Sequence, residues 1–85
     1  MGIKGSKMKK CYGQLKLGLK KQDVINLLGQ PDSQKVRSGI EVLGWYSKEF
    51  KGMLRGGFLE RTISVEFEND IVIGFDGENI NASAW

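Results

Sequence analysis

Residues 18–32 read Gly-Leu-Lys-Lys-Gln-Asp-Val-Ile-Asn-Leu-Leu-Gly-Gln-Pro-Asp, and this stretch decides the fold. Three of its apolar residues recur at the spacing i, i+3, i+4 and so share one side of a helix: Val24, Leu27 and Leu28. Gly29 favours the left-handed conformation in which many helices end, and Pro31 prevents continuation. A helix this short is marginal alone in water. The stretch therefore predicts a helix that must pack on another element.

The predicted helix begins at Lys20 or Lys21 and ends at Leu28. Its N-cap position lacks the Ser, Thr, Asp or Asn that would accept a hydrogen bond from the first free N–H groups. Asp23 in the first turn compensates in part through the helix dipole. A second short helix is expected over about residues 9–16, weakened by a central glycine.

The composition indicates one small domain without the commonest catalytic groups. The chain has 85 residues, of which 40% are hydrophobic, with one cysteine and no histidine. A single cysteine excludes an internal disulfide framework. The lack of histidine removes the commonest general base near neutral pH and the commonest metal ligand. We therefore predict no catalytic residues, no cofactor and no metal.

The charge is unevenly distributed along the chain. Residues 1–21 contain seven of the 13 basic residues and none of the ten acidic ones. Residues 1–8 combine glycine, serine and lysine, and we expect a disordered basic arm there. Such an arm could bind phosphates through charge alone, so nucleic-acid binding is the alternative function. It is the weaker one, because no aromatic residue lies between its lysines and no nucleic-acid-binding motif accompanies it.

Beyond Pro31 the apolar period changes from 3.6 to 2, which is typical of strands. A weak strand is expected over 34–37 and a longer one over about 40–50. The clearest alternation then follows, with Ile63, Val65 and Phe67 on one side. A last strand is expected over 71–75, and no periodicity is seen beyond it.

The turn at Asn69-Asp70 leaves two registers open. A two-residue loop pairs Phe67 with Val72 and turns Ile73 and its same-face neighbours toward solvent, so that another chain would have to cover them. A three-residue loop pairs Phe67 with Ile71 and keeps the large apolar residues on one face. We expect the three-residue loop.

These elements predict an α+β fold in which two short N-terminal helices pack on a three-stranded antiparallel β-meander, as a two-layer sandwich. The apolar side of the second helix should lie on the face that carries Ile63, Val65 and Phe67. The domain is expected over 9–76, between the arm at 1–8 and an irregular tail at 77–85.

The helix-turn pattern resembles the SmpA/OmlA family, to which BamE-like outer-membrane assembly lipoproteins belong, and is similar to the repeat unit of β-lactamase inhibitory proteins. The matching residues are Gly18, Val24, Leu27-Leu28-Gly29 and Pro31-Asp32, with Trp45-Tyr46 and the run 63–70 in the later strands. The resemblance covers roughly residues 12–75. It implies two helices against an antiparallel sheet, and a non-enzymatic protein that binds other proteins. Two features depart from the family pattern: Lys20 stands at the N-cap, and no lipobox is present.

Two regions are candidate partner-binding sites. Leu43 and Trp45 point away from Ile40 and Val42, so they would lie on the open sheet face if the helices cover the Val42 side. Equally, the loop or the tail could cover them. The predicted loop 51–59 contributes four further candidates among its glycines: Met53, Leu54, Arg55 and Phe58.

Other chemically suggestive residues have simpler explanations. Cys11 lacks a histidine partner, so a packed thiol is expected rather than a nucleophile. Glu66 and Glu68 share one strand face, and we expect them to be solvated. The predicted function is a protein–protein interaction module, either an accessory subunit or an inhibitor, that binds another protein or a second copy through the open sheet face and the 51–59 loop. No apolar run is long enough to span a membrane, and no secretory signal is visible. A cytoplasmic location follows from the sequence as written, or an envelope location if a signal peptide precedes it.

Overall fold

In the part of the chain that the structure describes, four antiparallel strands form a single sheet, in the order in which they follow along the chain. The computed structural model describes the backbone of residues 5–52 and 57–79, and the side chains of 8–48 and 60–79. Two helices precede the sheet. The elements are α1 (Gly5–Tyr12), α2 (Lys21–Leu28), β1 (Ser33–Arg37), β2 (Ile40–Gly52), β3 (Gly57–Glu68) and β4 (Ile71–Glu78).

The predicted three-stranded meander is wrong, because β1 pairs with β2 along its whole length, from Ser33 opposite Gly44 to Arg37 opposite Ile40. All five residues of β1 are exposed. An edge strand that buries no side chain needs no apolar alternation, so the sequence signal was too weak to count it. Ser38 and Gly39, with φ of 52° and 83°, make the tight turn into β2.

The second helix has the limits that local signals predict. It spans Lys21–Leu28, Lys20 makes no side-chain cap, and Gly29 has φ 85° and donates its N–H to the carbonyl of Ile25. The ψ of Gly29 is extended rather than left-handed helical. The Asp70 carbonyl accepts the N–H of Lys21 at 2.8 Å. The β3–β4 turn thus supplies the cap that no local side chain provides.

The first helix lies about four residues earlier than expected. It begins at Gly5, within the segment predicted to be a disordered arm, and ends at Tyr12. Met8 of that segment is completely buried. Because α1 packs on both β2 and β3, tertiary burial outweighs the poor helix propensity of this polar sequence. Residues 1–4 lie outside the described part.

One apolar cluster joins the helices to one face of the sheet. Val24 and Leu28 of α2 lie in the same cluster as Ile63, Val65 and Phe67. The predicted packing of the α2 apolar side on this face of β3 is therefore confirmed. The other members of the cluster come from α1, from the segment before α2, from β2 and from β4: Met8, Cys11, Leu15, Leu43, Trp45 and Val72.

The β3–β4 hairpin has the two-residue loop, so the expected three-residue loop is wrong. Asn69 and Asp70 have φ of 53° and 63°, and Phe67 pairs with Val72. A bulge in β4 then returns the following apolar residue of the strand to the core face. Phe67 pairs with Val72 but Glu66 pairs with Gly74, so Ile73 is an extra residue. The bulge returns the next aromatic residue of β4 to the core face, and no second chain is needed to cover it.

Strand β4 extends to Glu78, three residues beyond its predicted end and into the segment expected to be an irregular tail. Its first half is covered at the outer edge by the segment before α2. Gly18 donates to the Val72 carbonyl, and the Val72 N–H donates to the Leu19 carbonyl, at 2.9 and 2.8 Å. These bonds occupy groups that would otherwise be free at a sheet edge. Residues 80–85 lie outside the described part.

Candidate interaction surface

The expectation that Leu43 and Trp45 lie on an open face is wrong. Each is 1% exposed, and they pair with Val65 and Ile63 on the helix-covered face. The Trp45 Nε1–H donates to the Gly29 carbonyl at 3.0 Å, which ties the sheet to the end of α2. The helices cover this face because Leu and Trp bury more apolar area than Ile40 and Val42 on the other side. The larger apolar area of Leu43 and Trp45 is therefore the feature of the sequence that indicates which face of β2 is covered.

The four candidates in the 51–59 segment remain predictions. Met53, Leu54 and Arg55 lie outside the described residues. Phe58 pairs with Phe50 in the β2–β3 ladder, and its side chain is likewise outside the described part. Gly52 pairs with Gly57. The strands therefore continue into most of the segment that was expected to be a loop.

The other side of the sheet, which we call the open face, carries the alternate residues of each strand. Along its centre lie four residues of β2 that we call the β2 stripe: Ile40, Val42, Gly44 and Tyr46. Three of the four are partly buried, and Tyr46 is 41% exposed. Sequence reasoning assigned the wrong face of β2, and so missed the β2 stripe as a candidate surface.

Opposite charges flank the β2 stripe. Lys35 and Arg37 of β1 lie on one side, and Glu66 and Glu68 of β3 on the other. All four are exposed, so the predicted solvation of the two glutamates is confirmed. Further carboxylates of the open face stand on β3 and β4: Glu60, Asp76 and Glu78. The surface therefore changes from basic at the β1 edge to acidic across β3 and β4.

A polar network surrounds Tyr46 where β1 has ended. The Tyr46 N–H has no β1 partner at this level, and the Asp32 carboxylate accepts it at 2.8 Å. The Tyr46 hydroxyl donates to Glu60 at 2.6 Å, and Lys48 lies 3.9 Å from the same carboxylate oxygen. The hydrogen bond to Glu60 raises the pKa of Tyr46 above its usual value. These contacts hold the tyrosine ring in place on the open face.

An ion pair at the rim of the helix-covered face links α2 to β2. Lys21 Nζ lies 2.7 Å from Glu41 Oε1, and the Gln34 side-chain amide donates to the other carboxylate oxygen. The hydrogen bond from Lys21 lowers the pKa of Glu41, and the bond from Gln34 acts in the same direction. Lys21 is thus engaged within the fold, whereas Lys9 and Lys10 of α1 are exposed. The nucleic-acid alternative rests on these exposed lysines and on residues outside the described part.

Neither of two surface grooves resembles an enclosed catalytic pocket. One of about 580 Å³ lies between the start of α2 and the β3–β4 turn, and is lined by Lys20, Lys21, Gln22, Ile25, Asn69, Asp70 and Ile71. One of about 240 Å³ is bounded by β1, β2 and β3 around Tyr46. Among the described residues, no three His, Cys, Asp or Glu side chains are placed to hold a metal ion. Cys11 is buried and its thiol donates to the Leu27 carbonyl at 3.3 Å, as expected of a packed thiol.

No protein-family model matches the chain, and the comparison with curated protein sequences found no match. The SmpA/OmlA resemblance therefore has no support from these comparisons. Within the described part of the chain, no helix is both long and apolar enough to cross a membrane.

A solved structure shares the fold. It is the crystal structure of a putative β-lactamase inhibitor protein from Streptococcus mutans, with a TM-score of 0.54 and 24% sequence identity. The match covers 85% of this chain and 44% of that protein. The chain thus spans less than half the length of its structural neighbour. At this identity the likeness establishes a shared fold, in agreement with the resemblance to β-lactamase inhibitory proteins.

Proposed function

We propose that this chain is a non-enzymatic protein-binding module that contacts its partner through the open face of the sheet. The observation that carries the proposal is the β2 stripe. Its partly exposed apolar residues, Ile40 and Val42, are bordered by exposed charges on both sides. Protein interfaces have this composition, with a central apolar area and a polar rim.

The structural neighbour supports the same class of function, because a protein named as a β-lactamase inhibitor acts on another protein. Both the inhibitor role and the accessory-subunit role remain within this proposal. The 51–59 segment, with Met53, Leu54, Arg55 and Phe58, is a second proposed contact. Leu43 and Trp45 are not part of the proposed surface, since they support the fold from within the core.

Site-specific photo-cross-linking tests the proposed surface. A photoreactive amino acid would replace Tyr46 on the open face, and the matched control would carry it at Val36, which is 67% exposed on the opposite side of the sheet. We expect a discrete protein adduct from position 46 and none from position 36. Equal adducts from both positions, or none from position 46, would contradict the proposal.

Binding to a purified protein then tests the surface by substitution. The captured protein, and a purified β-lactamase as a defined probe, would be titrated against Val42→Arg and Val36→Arg. The two variants carry the same change on adjacent strands and on opposite faces. We expect Val42→Arg to weaken binding at least tenfold, because a buried unpaired charge at an interface is costly, and Val36→Arg to leave it unchanged.

A further inference from the structure

The open face has a repeating cross-strand pattern that is complementary to itself. One row across the sheet contains Arg37, Ile40 and Glu68, on β1, β2 and β3. The next row contains Lys35, Val42 and Glu66 in the same order. Each row therefore has a cation on one side of an aliphatic residue and a carboxylate on the other.

The third row is neutral and flat. It contains Ser33, Gly44 and Ser64, and the Ser33 hydroxyl lies so close to Gly44 that a β-carbon there would clash with it. On β4 the Glu66 carboxylate lies over Gly74, 3.0 Å from the position a β-carbon would take. With glycine at these two positions, no side chain of Gly44 or Gly74 projects from the open face. A face with few projecting side chains lets a second sheet approach to the distance of about 10 Å at which sheets pack.

We propose that a second copy of this chain packs on the open face, related to the first by a two-fold axis that runs along the β2 stripe. This inference rests on the proposed function and names the partner. A rotation about an axis parallel to the strands keeps each row at its own height and exchanges its two sides. Ile40 and Val42 then meet their own counterparts, and each cation of β1 lies over a carboxylate of β3 in the other copy.

Charge selects this arrangement over the other face-to-face one. A two-fold axis perpendicular to the strands would place β1 over β1 and β3 over β3, so that like charges face each other. The axis along β2 instead forms four cation–carboxylate pairs, from Lys35 to Glu66 and from Arg37 to Glu68 in both directions. Such an isologous contact closes after two copies and forms a dimer rather than a filament.

The size of the contact predicts a weak dimer. Neighbouring strands lie about 4.8 Å apart and successive rows about 7 Å apart, so three rows over three strands cover far less than the ~800 Å² per partner of a standard interface. The ion pairs are exposed at its rim and are screened by salt. We therefore expect dissociation constants of about 10–100 µM at low salt, weakened about tenfold between 50 and 500 mM NaCl.

Sedimentation equilibrium of the full chain, with two charge-reversed variants, tests the proposal. The acidic variant carries Lys35→Glu and Arg37→Glu, and the basic variant carries Glu66→Lys and Glu68→Lys. In a homodimer of either variant, the side chains of β1 and β3 that face each other would carry the same charge. Each variant should therefore be monomeric at concentrations where the native chain is dimeric. In an equimolar mixture every pair is restored with opposite charges, and we expect a heterodimer.

A matched control separates the open face from net charge. Lys9→Glu with Lys10→Glu changes the charge by the same amount as the acidic variant, on exposed positions of α1, and should leave dimerisation unchanged. Circular dichroism verifies that all variants fold. A native chain that is monomeric up to 1 mM, variants that dimerise as the native chain does, or a mixture that fails to associate would each overturn the proposal. If the monomer still gave a protein adduct at position 46, the dimer would be refuted while the proposed function stood.

Discussion

The two faces of the sheet use the same strands for different purposes. On β2, Trp45 is 1% exposed and its neighbour Tyr46 is 41% exposed, one residue apart. The first packs under the helices and the second meets solvent beside charged residues. Because side chains alternate strictly along a strand, a shift of one residue would exchange the two sets. Register is therefore what divides the residues that stabilise this fold from those available for binding.

The largest expected effect comes from breaking that alternation. Deletion of Ser64 would place Ile63 directly before Val65 and turn one part of β3 to the wrong face. We expect loss of the cooperative unfolding transition, measured by urea denaturation with tryptophan fluorescence. Deletion of the bulge residue Ile73 is the control, because Val72 and Phe75 then alternate normally about Gly74 and both still face the core. We expect that variant to fold, and an equal loss of structure in both would contradict the role assigned to the bulge.

A smaller effect is expected from truncating one aromatic residue on each face. Trp45→Ala should lower the free energy of unfolding by about 3–5 kcal/mol, because it leaves a cavity in the core. It also leaves the Gly29 carbonyl without its indole donor. Tyr46→Ala, at the next position, should cost several-fold less, since Tyr46 is 41% exposed and lies outside the core. Chemical denaturation of the two variants measures the difference, and similar losses would show that the faces are not distinct.

The smallest effect concerns Glu41, at the rim of the helix-covered face. Its pKa is lowered in the folded state by Lys21. A lowered folded-state pKa adds stability above the ordinary carboxyl pKa of about 4.3, and that contribution disappears as the pH falls through the folded-state value. We expect Glu41→Gln to lose about 1 kcal/mol at pH 7.

The pH dependence distinguishes this ion pair from a packing effect. The difference between Glu41→Gln and the native chain should vanish in acid, since the native carboxylate is then protonated as well. Thermal unfolding from pH 2.5 to 7 measures the difference. A constant loss at every pH would instead indicate that the side chain acts through packing. Lys21→Met, which removes the other partner, should produce a comparable loss at neutral pH.

Local signals predicted some elements well. The limits of α2 follow from the spacing of Val24, Leu27 and Leu28 and from the stop at Gly29. The structure confirms both limits. The face of β3 that carries Val65 follows from strict alternation over several residues. In both cases the information lies within one short segment, so no distant contact was needed to read it.

Other features depended on contacts between segments. Strand β1 has no apolar period and exists because its backbone pairs with β2. The start of α1 at Gly5 depends on burial of Met8 under the sheet. For the candidate surface, both faces of β2 carry alternating apolar residues, so the prediction that Leu43 and Trp45 are exposed was wrong. Only packing against the helices separated Leu43 from Val42.

By itself, the sequence determined that this chain forms two short helices followed by antiparallel strands, and where α2 begins and ends. The tertiary structure decided the number of strands, the hairpin register with its bulge, and which face of β2 is covered. The physical reason is that period and turn residues act over a few neighbouring positions. Strand pairing and burial join residues far apart in the chain, and the free energy of those contacts cannot be read from either segment alone.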